Sequence, residues 1–131
     1  MDLNAKLAVS TPDNLITDLY PEAKPVSVKL RKLAAEATLK RGTVLALASG
    51  GASADTAVVL GTAAGTGETL TPSFILAEDT VVGTENDAIG VAYRSGCFSP
   101  DHVIVAANYT MTAADIDALR VRDIVFKDFM A

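Results

Sequence analysis

Val26-Ser27-Val28-Lys29-Leu30-Arg31 decides the fold class. Its apolar residues recur at every second position, the period of a half-buried strand; one helical face repeats every three or four residues. Downstream, Leu33-Ala34-Ala35-Glu36-Ala37 has the propensity for one helical turn. The nine residues 32–40 are too few for a capped helix, so a wide hairpin turn is expected there. Arg41-Gly42 then leads into a clean apolar strand over residues 43–48, and Ser49-Gly50-Gly51-Ala52-Ser53-Ala54-Asp55 is a loop.

The second half continues in short strands. Residues 56–60 are β-branched and apolar, 61–68 form a Gly/Thr-rich turn region, and 73–77 read as another strand. Residues 78–87 read as an acidic loop around Val81-Val82. Ile89, Val91 and Tyr93 alternate with small residues in a further half-buried strand, and 103–105 is short and apolar. One helix stands out after Thr112, an N-cap with Asp115 three residues on in a capping-box arrangement. Ile116 and Leu119 share a face of it, and Arg120 and Arg122 suit the negative end of its dipole. Ile124-Val125-Phe126 returns to strand character. The expectation is a mainly β fold (a β-rich α+β class): a compact small β domain over residues 26–131 with one short C-terminal helix.

Residues 1–25 read differently. Pro12, Pro21 and Pro25 punctuate them, and Leu15, Ile16, Leu19 and Tyr20 are isolated apolar groups among turn formers. Proline fixes φ and lacks an N–H, so neither a long helix nor a central strand fits. An extended N-terminal arm is expected, of the kind that orders against a partner.

Composition narrows the function. With 16 acidic against 11 basic residues the net charge is −5, which disfavours a nucleic-acid backbone as partner. Trp is absent and aromatics make up 5%, which argues against a stacking platform for single strands. Six of the basic residues, Lys24, Lys29, Arg31, Lys32, Lys40 and Arg41, cluster in the first third. Either they form a patch for an acidic partner or, the favoured reading, they solvate a strand pair. A single Cys excludes an intrachain disulfide and points to a reducing compartment; a single His excludes a His-rich zinc site, so no metal and no cofactor are expected. MDLNAKLAV lacks the pattern of a secretory signal, and the stretch 42–67 is too interrupted by glycine and Asp55 to span a membrane.

Candidate chemistry is sparse. Gly61-Thr62-Ala63-Ala64-Gly65-Thr66-Gly67 lacks the Lys-Ser/Thr of a phosphate loop and no helical pattern follows it. Cys97, Asp101 and His102 superficially suggest nucleophile, orienter and base, but adjacent residues of an extended backbone point apart and Ser99-Pro100 interposes a turn. Cys97 is expected to be a structural, inward or turn-packed thiol. Glu78-Asp79 and Asp115/Asp117 lack the spacing of a calcium loop. The chain is not expected to be an enzyme.

Several stretches in order carry a resemblance: Pro12-Asp13-Asn14-Leu15-Ile16, Tyr20-Pro21, Leu39-Lys40-Arg41-Gly42-Thr43-Val44-Leu45, Pro72-Ser73-Phe74-Ile75-Leu76-Ala77-Glu78-Asp79, Ala92-Tyr93-Arg94-Ser95-Gly96-Cys97-Phe98, the helix, and the Ile124-Val125-Phe126 ending. Together, from about residue 12 to 129, they resemble the head decoration proteins of tailed phages, more distantly that of phage lambda. The family usually has Gly where this chain has Asn108, and commonly Gly where it has Asp123, the two side chains that best tolerate positive φ. The resemblance implies a homotrimer on the outer surface of the virion, at threefold sites of the expanded head. Its partner would be the major capsid protein, with no membrane and no nucleic acid. On that reading the arm is expected to bind the capsid through Pro12, Asn14, Leu15, Ile16, Thr17, Tyr20 and Pro21, and Asn14-Leu15-Ile16-Thr17, a proline-free stretch of strand character, is expected to add a strand to a capsid sheet edge. A tail or baseplate spike component or a glycan-binding module is the alternative, the latter weakened by the lack of Trp.

Overall fold

The computed structural model describes residues 15–18 and 21–127. It is mainly β with one short helix: β1 (Ile16–Asp18), β2 (Pro25–Leu30), β3 (Ala37–Leu39), β4 (Val44–Ser49), β5 (Ala57–Val59), β6 (Thr69–Leu76), β7 (Thr80–Val82), β8 (Ala88–Tyr93), β9 (Gly96–Phe98), α1 (Ala113–Val121) and β10 (Ile124–Phe126). Five strands close a barrel in the order β2-β5-β4-β6-β8. Closure leaves these strands no free edge, which suits a small domain that must keep its backbone paired.

The barrel has a core on each side of its wall. Inside lie Val28 and Leu30 of β2, Leu45 of β4, Ala57 of β5, Leu76 of β6 and Ala92 of β8, with Val82 packed against them. The alternate residues Val44, Ala46, Val58, Leu60 and Ile75 face outward, yet they too are buried. They are covered by Leu15, Phe98, Ile124 and Leu119, which belong to the helix and to a second, three-stranded sheet. Burial on both faces explains why β4 reads as a continuous apolar run instead of an alternation.

Local sequence accounts for most elements. The capping box is formed: the Asp115 backbone N–H donates to Thr112 Oγ1 at 3.1 Å, and the Thr112 N–H donates to the Asp115 carboxylate at 3.0 Å. Asn108 and Asp123 have φ of 66° and 65°, so the left-handed turns are kept without glycine.

Other elements depart from the sequence reading. Residues 32–40 do not form a simple hairpin turn, and Val81-Val82 do not lie in a loop: β3 and β7 pair as an antiparallel ribbon, Ala37 opposite Val82. Strand β6 extends through Pro72, and the β4–β6 register slips between Leu45 and Ala46, where the missing proline N–H cannot serve the ladder. In β8 the alternation is present, but Gly90 and Ala92 point into the barrel while Ile89 is 67% exposed. A Cβ at Gly90 would lie 2.9 Å from Leu30 Cδ1, so the narrow interior takes the small residues and leaves the large ones outside. On α1, Leu119 is buried and Ile116 is not.

The arm boundary at residue 25 is also corrected. Residues 15–18 belong to the domain, and β2 begins at Pro25 itself.

Candidate functional site

The site is the root of the N-terminal segment, the sheet of order β1-β9-β10. β1 runs antiparallel to β9, with Ile16 opposite Phe98, and β10 runs parallel to β9, with Phe126 opposite the same Phe98. The chain therefore enters and leaves this sheet at one end, on either side of Phe98, about 10 Å apart as two strand spacings require. Phe98 is wholly buried and its ring meets Tyr93 at a centroid distance of 5.5 Å.

Each residue of β1 has a fixed place. Leu15, just ahead of the strand, is 1% exposed and packs in the outer core, and its carbonyl accepts the Ser99 N–H at 2.7 Å. Ile16 is half-buried against the same core. Thr17 Oγ1 lies 3.4 Å from Cys97 Sγ, and Lys127 Nζ donates to Asp18 Oδ2 at 3.1 Å, tying the two edges of the sheet together. The sequence reading placed Leu15, Ile16 and Thr17 on a partner's sheet edge. Here they add a strand to the protein's own β9, because burying Leu15 in the outer core stabilises the domain by roughly 1.5–3 kcal/mol without any partner. Pro21 is half-buried; Pro12, Asn14 and Tyr20 lie outside the described residues.

Cys97 is 1% exposed in the middle of this sheet, and His102 Nδ1 and Ser99 Oγ share a hydrogen bond of 2.8 Å. The thiol is thus packed as a small hydrophobe. Cys97→Ser is expected to cost about 1–2 kcal/mol, since a more strongly hydrated hydroxyl replaces the thiol at a buried position beside Thr17 Oγ1. Urea unfolding measures this, and a variant that folds normally yet loses all partner binding would reveal thiol chemistry.

The basic cluster divides in two. Arg31 Nη2 donates to Glu68 Oε2 at 2.5 Å, and the same guanidinium reaches Thr56 Oγ1 at 3.0 Å and the Ser53 carbonyl at 3.4 Å. One residue thereby pins two loops against the end of β2. Arg41 Nη1 donates to Tyr93 Oη and to the Ala77 carbonyl, with its guanidinium carbon 5.5 Å from the Tyr93 ring centroid. Lys24, Lys29, Lys32 and Lys40 remain exposed. Lys29 and Lys32 border a polar cleft of about 510 Å³ shared with Ser53, Glu85 and Asp87. The sequence reading missed Glu68 and Asp79 as anion partners because both sit in loops whose positions depend on the closed barrel.

Three carboxylates titrate low. The Arg31 guanidinium and the Gly65 N–H hold Glu68 below the usual range. The Arg41 N–H, donating at 2.7 Å, does the same for Asp79. Burial pushes Asp115 up, but the donors of Thr112 and the Tyr109 hydroxyl outweigh it and the net shift is downward. Folded values below unfolded ones mean stability that is complete above the ordinary carboxylate range and lost as pH falls through the lowered values. Tyr109 is raised, by its bond to Asp115, so its contribution fades as pH rises through its folded value. Thermal unfolding midpoints are expected to be flat through neutral pH, to fall below about pH 4 and to fall again above about pH 10. A midpoint that holds at pH 3 would show that these contacts contribute nothing.

Among the described residues, no group of three or more His, Cys, Asp or Glu side chains converges as metal ligands, and no helix is long and apolar enough to cross a membrane. No protein-family model matches the chain and no curated protein matches it in sequence.

Proposed function

We propose that this protein is a capsid decoration protein. It binds as a homotrimer at threefold sites on the outside of an expanded phage head, holds neighbouring major capsid proteins together against the pressure of packaged DNA, and has no catalytic role. The observation that carries this reading is the shared exit of the segments before Leu15 and after Lys127 from one end of a barrel-backed sheet. A clamp needs a rigid body whose gripping segments leave it from one side, and the sequence of residues 1–14 carries apolar groups without periodicity. A ligand that binds only the expanded shell stabilises it by mass action, and three segments on one trimer add avidity.

Co-sedimentation with purified empty shells tests this. Saturable binding to expanded shells, absent from unexpanded ones, is expected, together with a raised unfolding temperature of the decorated shell. No binding to either form would overturn the reading.

A further inference from the structure

At the end of β2 the cleft of about 510 Å³ brings together Lys29, Lys32, Ser53, Glu85, Asn86 and Asp87. Two of its walls are loops, yet each is tied to the chain around Arg31. The Arg31 guanidinium, neutralised by Glu68, donates from Nε to Thr56 Oγ1 and from Nη2 to the Ser53 carbonyl, which fixes the 50–56 loop. The Lys32 N–H donates to Asp87 Oδ1 at 2.9 Å and the Leu33 N–H to the Gly83 carbonyl at 2.8 Å, which fixes the 83–87 loop. Two cations and two carboxylates therefore border one preformed space. Among the described residues no ion pair joins Lys29 or Lys32 to Glu85 or Asp87. The Ser53 hydroxyl and the Asn86 amide likewise make no hydrogen bond among the described residues.

We infer that this cleft binds a short peptide segment carrying one cationic and one anionic side chain. Charge selects that class. A ligand of a single sign meets like charges as well as opposite ones, and a neutral ligand takes water from four charges while pairing none. A mixed-charge ligand pairs both signs. The Ser53 hydroxyl and the Asn86 amide each donate and accept, which suits the amides of a peptide backbone and would go unused by a simple salt. The volume lies in the range of small-ligand sites, and walls already in place leave little loop ordering to offset on binding. Exposed charges keep the affinity low, in the millimolar range. Leu15 lies against Gly42, just ahead of β4, whereas the 50–56 loop follows the other end of that strand. On the reading above, a copy held through its N-terminal segment keeps the cleft free, and many copies on one shell turn weak binding into avidity. The cleft's own ligand does not depend on that reading.

Titration of the isotope-labelled full chain, followed by amide chemical shifts, tests this with three capped dipeptides: acetyl-Lys-Glu-amide, acetyl-Lys-Lys-amide and acetyl-Glu-Glu-amide. The mixed probe is expected to shift residues 52–56 and 85–87 saturably, and to do so more weakly at high salt, because exposed charges are screened. Lys29→Gln and Glu85→Gln are each expected to weaken it about 2- to 5-fold, the scale of one exposed charge pair. They should also tilt the preference in opposite directions, Lys29→Gln toward the dicationic probe and Glu85→Gln toward the dianionic one. Both side chains are exposed, so the unfolding midpoints of the variants should match the parent. No saturable shift by about 20 mM mixed probe, equal binding of all three probes, or shifts that map elsewhere would each overturn the inference. Shells take no part in this experiment, so its failure leaves the decoration role standing, and a protein that ignores shells yet binds the mixed probe sinks only that role.

Discussion

A chain lacking residues 2–18 is expected to lose about 4 kcal/mol or more of stability, whereas one lacking residues 2–14 keeps its urea unfolding midpoint. The longer deletion removes Leu15, whose loss alone falls in the roughly 2–5 kcal/mol range for emptying a buried aliphatic site. It also strips β1 from β9, leaves Ser99 without its acceptor, and uncovers the outer core beside Phe98. The shorter deletion keeps every one of those contacts. On the proposed function both variants fail to bind shells, but for different reasons: one is folded without its gripping segment and the other lacks the mount for it. An unchanged midpoint for the longer deletion would refute the structural role of β1. Full binding by the shorter one would refute the role of the N-terminal segment.

Gly61→Ala is expected to destabilise by about 2–6 kcal/mol. Gly61 has φ of 102°, and an added Cβ would lie 2.6 Å from Tyr109 Cγ and 2.7 Å from Tyr109 Cβ. The ring cannot swing aside cheaply, because its hydroxyl donates to Asp115, the same carboxylate that caps α1. Backbone strain of about 1–3 kcal/mol therefore adds to an overpacking cost of similar size. Gly67→Ala is the matched control: its φ is 71°, with nothing within 4 Å of the added carbon, so it bears the backbone term alone. Equal unfolding midpoints for the two variants would show that the Tyr109 contact is slack.

What the sequence made legible is what neighbouring residues determine. The α1 capping box, the loop before Asp55 and the positive-φ turns at Asn108 and Asp123 are local, and the structure has them. The strand character of β2, β4 and β8 was also readable from period and run length. Which face of β8 turns inward was not, since Ile89, Val91 and Tyr93 look like the natural core until the width of a five-stranded barrel selects Gly90 and Ala92. The β3–β7 ribbon left no trace because each strand has three residues and its partner lies some forty positions away. At the candidate site the apolar residues of the N-terminal segment were visible, but their pairing with β9 was not. An extended stretch such as Leu15-Ile16-Thr17 fits a partner's sheet and its own equally well by composition, and only the buried position of Leu15 distinguishes them.

The placement of β9 between β1 and β10 has a consequence for the protein's synthesis. Eighty residues separate Thr17 from Cys97, and β10 comes later still. The first strand to leave the ribosome therefore finds its neighbour among the last, and closing so long a loop is slow. Until then Leu15 and Ile16 travel as exposed apolar groups on a nascent chain, within reach of chaperones and of other nascent chains. The mount for the N-terminal segment is completed only when nearly the whole domain has been translated, so a prematurely terminated product carries that segment on a tether without a body behind it.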